Sequence, residues 1–200
     1  MKKTLFVICL LATGILFMPS AEGALITYDA NLTGPNESTP NASPGTGYAF
    51  VGMDTIANTM HVHVDFSGLL GITTASHIHA ATAVAGSGTA GVATTLPTFP
   101  GFPLGVTSGT YDHLFDLLDA SSYSPAYVTA HGGTPASAEA ALLLAMADGK
   151  AYFNIHTNLF PGGEIRGFLA PAPVPEPGTM MLLGSGLVGL VGYCRGKRIM

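Results

Sequence analysis

Cysteine is absent from the whole middle of this chain: the two that occur, Cys9 and Cys194, lie in the terminal segments. A domain without thiols holds no disulfide and offers no thiolate as nucleophile or metal ligand. Positive charge is almost as scarce. Between Leu25 and Ala170 the only Lys or Arg residues are Lys150 and Arg166, against ten Asp and Glu. So acidic a surface cannot neutralise a phosphate backbone, which sets nucleic acid aside as a partner. Catalytic motifs are also missing: there is no Gly-x-Ser-x-Gly elbow, no His-Glu-x-x-His and no phosphate-cradling P-loop, and the sequence reads as a non-enzyme.

What is present begins at the two ends. Lys2-Lys3, an uncharged and mostly apolar stretch of 14 residues from Thr4 to Phe17, and Ala21-Glu22-Gly23 form the three parts of a secretory signal peptide over residues 1–23. The apolar part is shorter than the roughly 20 residues a spanning helix needs, which favours cleavage before Ala24. At the other end come Pro175-Glu176-Pro177, an apolar run of 15 residues from Thr179 to Tyr193, and the basic close Arg195-Gly196-Lys197-Arg198. This arrangement resembles the PEP-CTERM sorting signal. The resemblance implies a Pro-Glu-Pro motif read by an exosortase-type processing enzyme, after export by the Sec machinery and transient anchoring in the inner membrane. The charge pattern agrees: a basic tail stays cytoplasmic, leaving everything before Pro175 outside. The expected organisation is therefore a signal peptide (1–23), a domain (24–170), a Pro-rich linker (171–178), a transmembrane sorting helix (179–194) and a basic tail (195–200).

Gly (26) and Pro (14) together supply 40 of the 200 residues, which favours turns and strands over long helices. Short alternating or apolar runs recur between turn signals, at 25–32, 47–53, 59–66, 76–80, 91–96, 151–156 and 164–169. One segment departs from this. Thr134 is a good helix cap, Pro135 fits the first turn, Ala138 to Met146 are strong helix formers and Gly149 stops them. The fold expected is mainly β, an antiparallel, Greek-key-like β-sandwich with one short helical excursion.

Ser76-His77-Ile78-His79, then Ala151 to Thr157, then Phe160-Pro161-Gly162-Gly163-Glu164-Ile165-Arg166-Gly167-Phe168-Leu169 resemble the CHRD domain, named from chordin and common in secreted bacterial proteins. Tyr28 to Gly34 and Phe66-Ser67-Gly68-Leu69 follow the same pattern. Ala80-Ala81 stands where a Gly-Pro or similar pair is usual, and Phe168 where a polar residue often is. The resemblance implies a cell-surface or extracellular binding or structural module without general enzymatic activity, associated with exopolysaccharide or other envelope components.

Histidine carries the remaining chemistry. His61-Val62-His63 and His77-Ile78-His79 each place two imidazoles on one face of a strand, and Asn154 and His156 share a face likewise. Imidazole suits Zn, Cu and Fe, so His77, His79 and His156 form a possible three-nitrogen site for Zn or Cu, with His61 and His63 as further candidates. A His-x-His on a sandwich is similar to the copper/zinc superoxide dismutase pattern. The competing reading makes these rings structural groups, each hydrogen-bonding through both nitrogens. His113 and His131 are expected in loops, as is the acidic set Asp112, Asp116 and Asp119. Arg166 is expected to form a structural ion pair with a carboxylate, with Glu164, two residues before it on the last strand, or Asp65 as the partner.

Overall fold

A computed structural model describes residues 25–172; the signal peptide, the sorting motif Pro175-Glu176-Pro177, the apolar segment after it and the basic tail lie outside the described residues. Eight strands carry the fold: β1 (Leu25–Thr33), β2 (Thr46–Asp54), β3 (Thr59–Ser67), β4 (Thr73–His79), β5 (Gly109–Asp116), β6 (Tyr152–Thr157), β7 (Ile165–Phe168) and β8 (Ala170–Pro171). Two α-helices, α1 (Pro125–Ala130) and α2 (Pro135–Ala147), fall between β5 and β6. All the ladders are antiparallel and run in the order β4-β6-β7-β1-β2-β3-β5, with β8 on β1. The mainly β, antiparallel reading of the sequence holds, with the layers made by one continuous, curled sheet.

Alternation decides which face is inside. Ala49, Val51 and Met53 on β2 and Met60, Val62, Val64 and Phe66 on β3 are all buried, whereas His61, His63 and Asp65 point outward. Phe99, fully buried, stacks against Phe153 of β6 and Tyr111 of β5 and meets Phe115 of β5 at a tilt. It thereby bridges the two distant ends of the curl. Gly167 is required where β7 crosses β1, since a Cβ there would run into the carbonyl of Asn31.

The segment between β4 and β5 is where sequence and structure part. Residues 91–96, expected as a strand, make only isolated bridges, His79 to Val92 and Thr94 to Tyr123. Amides and hydroxyls of residues 93–99 are spent on the free edge of β4: Ala93 N donates to Ile78 O, Ile78 N to Thr94 Oγ1, Ser76 N to Thr98 Oγ1 and Phe99 N to Ser76 O. The regular strand comes later, as β5, in residues expected to be an acidic loop; its Asp112 and Asp116 alternate outward while Tyr111 and Phe115 fill the core. His113 accordingly lies on a strand, against Tyr111 and Phe115. His131 caps α1, its Nδ1 bonded to Tyr127 O at 2.8 Å.

The expected helix is α2, begun by a reciprocal capping box in which Thr134 Oγ1 accepts from Ser137 N and Ser137 Oγ accepts from Thr134 N. The short α1, capped by Ser124, is an addition. Pro171, expected to begin the linker, instead pairs with Tyr28 in β8. Among the described residues no helix is long and apolar enough to cross a membrane.

Candidate metal centre

Strands β4, β6 and β7 build the site. The register sets His77 opposite Asn154, His79 opposite Tyr152 and Asn154 opposite Arg166, so one face of three neighbouring strands carries His77, His79, Tyr152, Asn154, His156 and Arg166. That face is the outer one, yet His77, His79, Asn154 and Arg166 are buried. Irregular loops cover it, and backbone carbonyls from those loops hold the rings.

Each histidine is fixed the same way. His77 Nε2 lies 2.7 Å from Pro97 O, His79 Nδ1 2.9 Å from Ala90 O and His156 Nδ1 2.9 Å from Pro161 O. A carbonyl only accepts, so each of these nitrogens carries the proton. That leaves a bare lone pair on His77 Nδ1, His79 Nε2 and His156 Nε2, and these three atoms are buried without a hydrogen-bond partner. They converge: one nitrogen from each residue lies within 4.8 Å of the others. Anchoring one imidazole N–H to a carbonyl while the other nitrogen faces a shared point is the usual outer-shell support of metal-ligating histidine. Burial pushes the pKa of His77 and of His79 down to about 4, and that of His156 down as well. All three rings are therefore neutral near pH 7, the form that binds metal.

The surroundings are polar and incompletely paired. Tyr152 stacks on His79, ring centroids 4.7 Å apart, and the Arg166 guanidinium lies 4.8 Å from the Tyr152 centroid. Arg166 donates to Asn36 O and Gly88 O. Its nearest carboxylate is Glu37, 3.8 Å away, and not Glu164. Burial raises the pKa of Glu37 to about 7, with Arg166 pulling against it. Glu37 Oε1 and Asn154 Oδ1 are also buried and unpartnered. Both abut Gly163, beside an open cleft of about 400 Å³ lined by residues 37–41 and 159–163.

The expected Glu164–Arg166 ion pair is replaced by two separate networks. Glu164, in the turn just before β7, directs its carboxylate away from Arg166. It accepts from Ser43 Oγ (2.6 Å), Thr157 Oγ1 (2.7 Å), Leu70 N (2.5 Å) and Gly71 N (3.0 Å). Burial alone would raise its pKa; these four bonds bring it below the ordinary carboxylate value.

His61 and His63 stand apart. They sit on β3, four places from β6 in the sheet order, and belong to an exposed ladder of charges. His61 Nε2 is 3.1 Å from Asp112, and His63 bonds Asp112 through Nδ1 (3.0 Å) and Asp65 through Nε2 (3.1 Å). Partial burial lowers the His63 pKa, but the two carboxylates outweigh it and raise the net value. With both nitrogens bonded to carboxylates, His63 has no lone pair for a metal. The groups that sequence reasoning missed are Glu37 and the three carbonyls of Pro97, Ala90 and Pro161. Nothing periodic marks residues in irregular loops.

The fold is that of a mostly β domain built on one curled antiparallel sheet. Residues 28–169 match the CHRD domain family, and the chain belongs to it. Residues 173–198 match the PEP-CTERM protein-sorting motif. The motif marks an exported protein, processed by exosortase-type machinery on its way through the membrane to the cell envelope or extracellular space. Comparisons with curated proteins and with solved structures give no match.

Proposed function

We propose that the exported domain is a non-catalytic metal-binding module of the cell envelope or extracellular matrix, holding one transition-metal ion on His77, His79 and His156. One observation carries the reading: three clustered histidines, each offering a nitrogen within 4.8 Å of the others, keep one buried nitrogen without a partner while the opposite nitrogen is tied to a backbone carbonyl. Leaving such groups empty-handed costs about 1–3 kcal/mol each. A purely structural role would use both nitrogens of each ring, and here each uses one. Three nitrogens without a thiolate suit Zn²⁺ or Cu²⁺ bound at about 2.0–2.1 Å, with a further position for water or an outside ligand. Asn154, across the ladder from His77 and two residues from His156, would be the nearest polar neighbour on the same face. Export by Sec, then release or attachment beside exopolysaccharide, completes the reading.

Metal analysis of the protein recovered from the envelope or medium tests it. One equivalent of Zn or Cu is expected. Removing it with a chelator should lower the melting temperature, since an ion at 100 times its Kd contributes about 2.7 kcal/mol. His77→Ala with His79→Ala should abolish binding. Folded protein that takes up neither metal on titration would sink the proposal.

A further inference from the structure

Both ends of the domain leave it at one pole. β8 runs antiparallel to β1, with Pro171 opposite Tyr28, and Ala172 N donates to Thr27 O at 2.8 Å. At Ala172 the described chain thus lies two residues from Leu25 along the β1 register. Leu25 pairs with Asp54, Thr59 pairs with Asp116, and Leu117 N donates to Asn58 O. The β2–β3 turn and the end of β5 thus lie at this same pole.

Exposed apolar side chains gather at this pole. Leu25, Ile56 and Leu118 are 61%, 66% and 54% exposed. Helix α2 packs beside β8 and buries Ala138, Leu142, Ala145 and Met146. Its exposed stripe is Ala136, Ala140, Leu144 and Ala147, and its single charged residue, Glu139, is buried. A surface helix of a free-standing soluble domain carries polar side chains on its outer face; one that is apolar all round is covered by something.

We propose that Leu25, Ile56 and Leu118 at this pole, together with the outer stripe of α2 beside β8, dock on the lipid bilayer while the sorting segment holds the chain there. The chain outside the described residues names the occupant. Only residues 173–178 separate Ala172 from the apolar run that begins at Thr179. Fully extended, that is at most about 25 Å. A tether so short presents the pole at high effective concentration to the membrane, so weak apolar contacts suffice. The polar side chains nearby bear on the choice of lipid. Asp54, Asp116 and Asp119 lie at this end, each bonded to a backbone amide of its own turn. These carboxylates stay charged, so the docking is apolar and is weakened by anionic lipid. The cleft lined by Glu37 and Gly163 lies at the opposite pole, past the end of β1 and of β6, and faces away from the membrane.

Full-length precursor with Cys9→Ser and Cys194→Ser, reconstituted with phosphatidylcholine vesicles, provides the test. A fluorophore is attached through Ile56→Cys, Leu144→Cys or, at the far pole, Leu159→Cys, and quenched by lipid-borne nitroxide. Quenching at positions 56 and 144 should exceed that at 159 by about threefold or more, as for side chains at the acyl boundary. Leu144→Asp, an exposed change, should reduce quenching at 56 without releasing the tail from the vesicle. Equal quenching at all three positions, failure of the precursor to float with vesicles, or energy transfer between labels at 144 on two copies in place of lipid quenching would each overturn the proposal.

Discussion

Gly163 lies so close to Asn154 that a Cβ built on it would come within 2.5 Å of Oδ1, and within 2.6 Å of Glu37 Oε1. Its φ of +128° is itself in the region that favours glycine. The glycine therefore keeps the turn before β7 pressed against the polar face that carries the histidines. Gly163→Ala should destabilise the fold by about 2–4 kcal/mol through strain and displacement of the Asn154 amide. It should also weaken metal binding, because Asn154 sits between His77 across the ladder and His156 two residues along. Urea denaturation and metal titration check the two effects; an unchanged midpoint would contradict the close packing.

Separate networks for Glu164 and Arg166 predict near-additive mutations. Glu164→Gln disturbs four hydrogen bonds at once and should cost about 3 kcal/mol. Arg166→Ala strands the Asn36 and Gly88 carbonyls and leaves Glu37 without its cation. In a double-mutant cycle, Glu164 and Arg166 should couple by less than about 0.5 kcal/mol, while Glu37 and Arg166 couple by more. Strong coupling of Glu164 to Arg166 would restore the ion pair expected from their spacing.

Acid should loosen the metal-free protein through its buried rings. The pKa values of His77 and His79 are about 4 when folded and about 6.5 when unfolded. Between those values the unfolded chain binds more protons, so stability rises with pH. The contribution is fully present above about pH 6.5 and is lost as pH falls toward 4, on the order of 2–3 kcal/mol for each ring. Glu37, raised to about 7, works in the opposite direction over part of that range. The informative measurement is therefore a difference: chelator-treated wild type should lose more stability on acidification than the His77→Ala, His79→Ala double variant. Parallel pH profiles for the two proteins would refute the neutral buried pair.

Replacing the outer histidines should leave the metal in place. His61→Ala and His63→Ala remove exposed partners of Asp112 and Asp65, an effect within about 1 kcal/mol on the folded state. Metal stoichiometry should match wild type in both. A lost equivalent would move the site to β3.

Two periods made much of this legible in the sequence. Strand parity placed His77 with His79 and Asn154 with His156 on common faces, and the ladder between β4 and β6 then brought the pairs together. Helix chemistry at Thr134 and Pro135 located α2 to within a few residues. Parity misled at Glu164, because the residue lies before the strand begins and its side chain follows the turn. It failed also at 91–96, where β-like residues satisfy an edge through hydroxyls and single amides without forming a ladder. Glu37 and the ring-fixing carbonyls sit in loops whose path is set by tertiary packing.

The way the β4–β5 segment occupies the margin of β4 has a consequence for life at a crowded envelope. Terminal strands with vacant amides and carbonyls recruit other copies rung by rung. Here the rungs on one flank are taken by Ala93, Thr94, Thr98 and Phe99, and the strand at the other flank bears Asp112 and Asp116. Both flanks of the sheet are thus guarded against edge-to-edge pairing, one by occupied rungs and the other by charge.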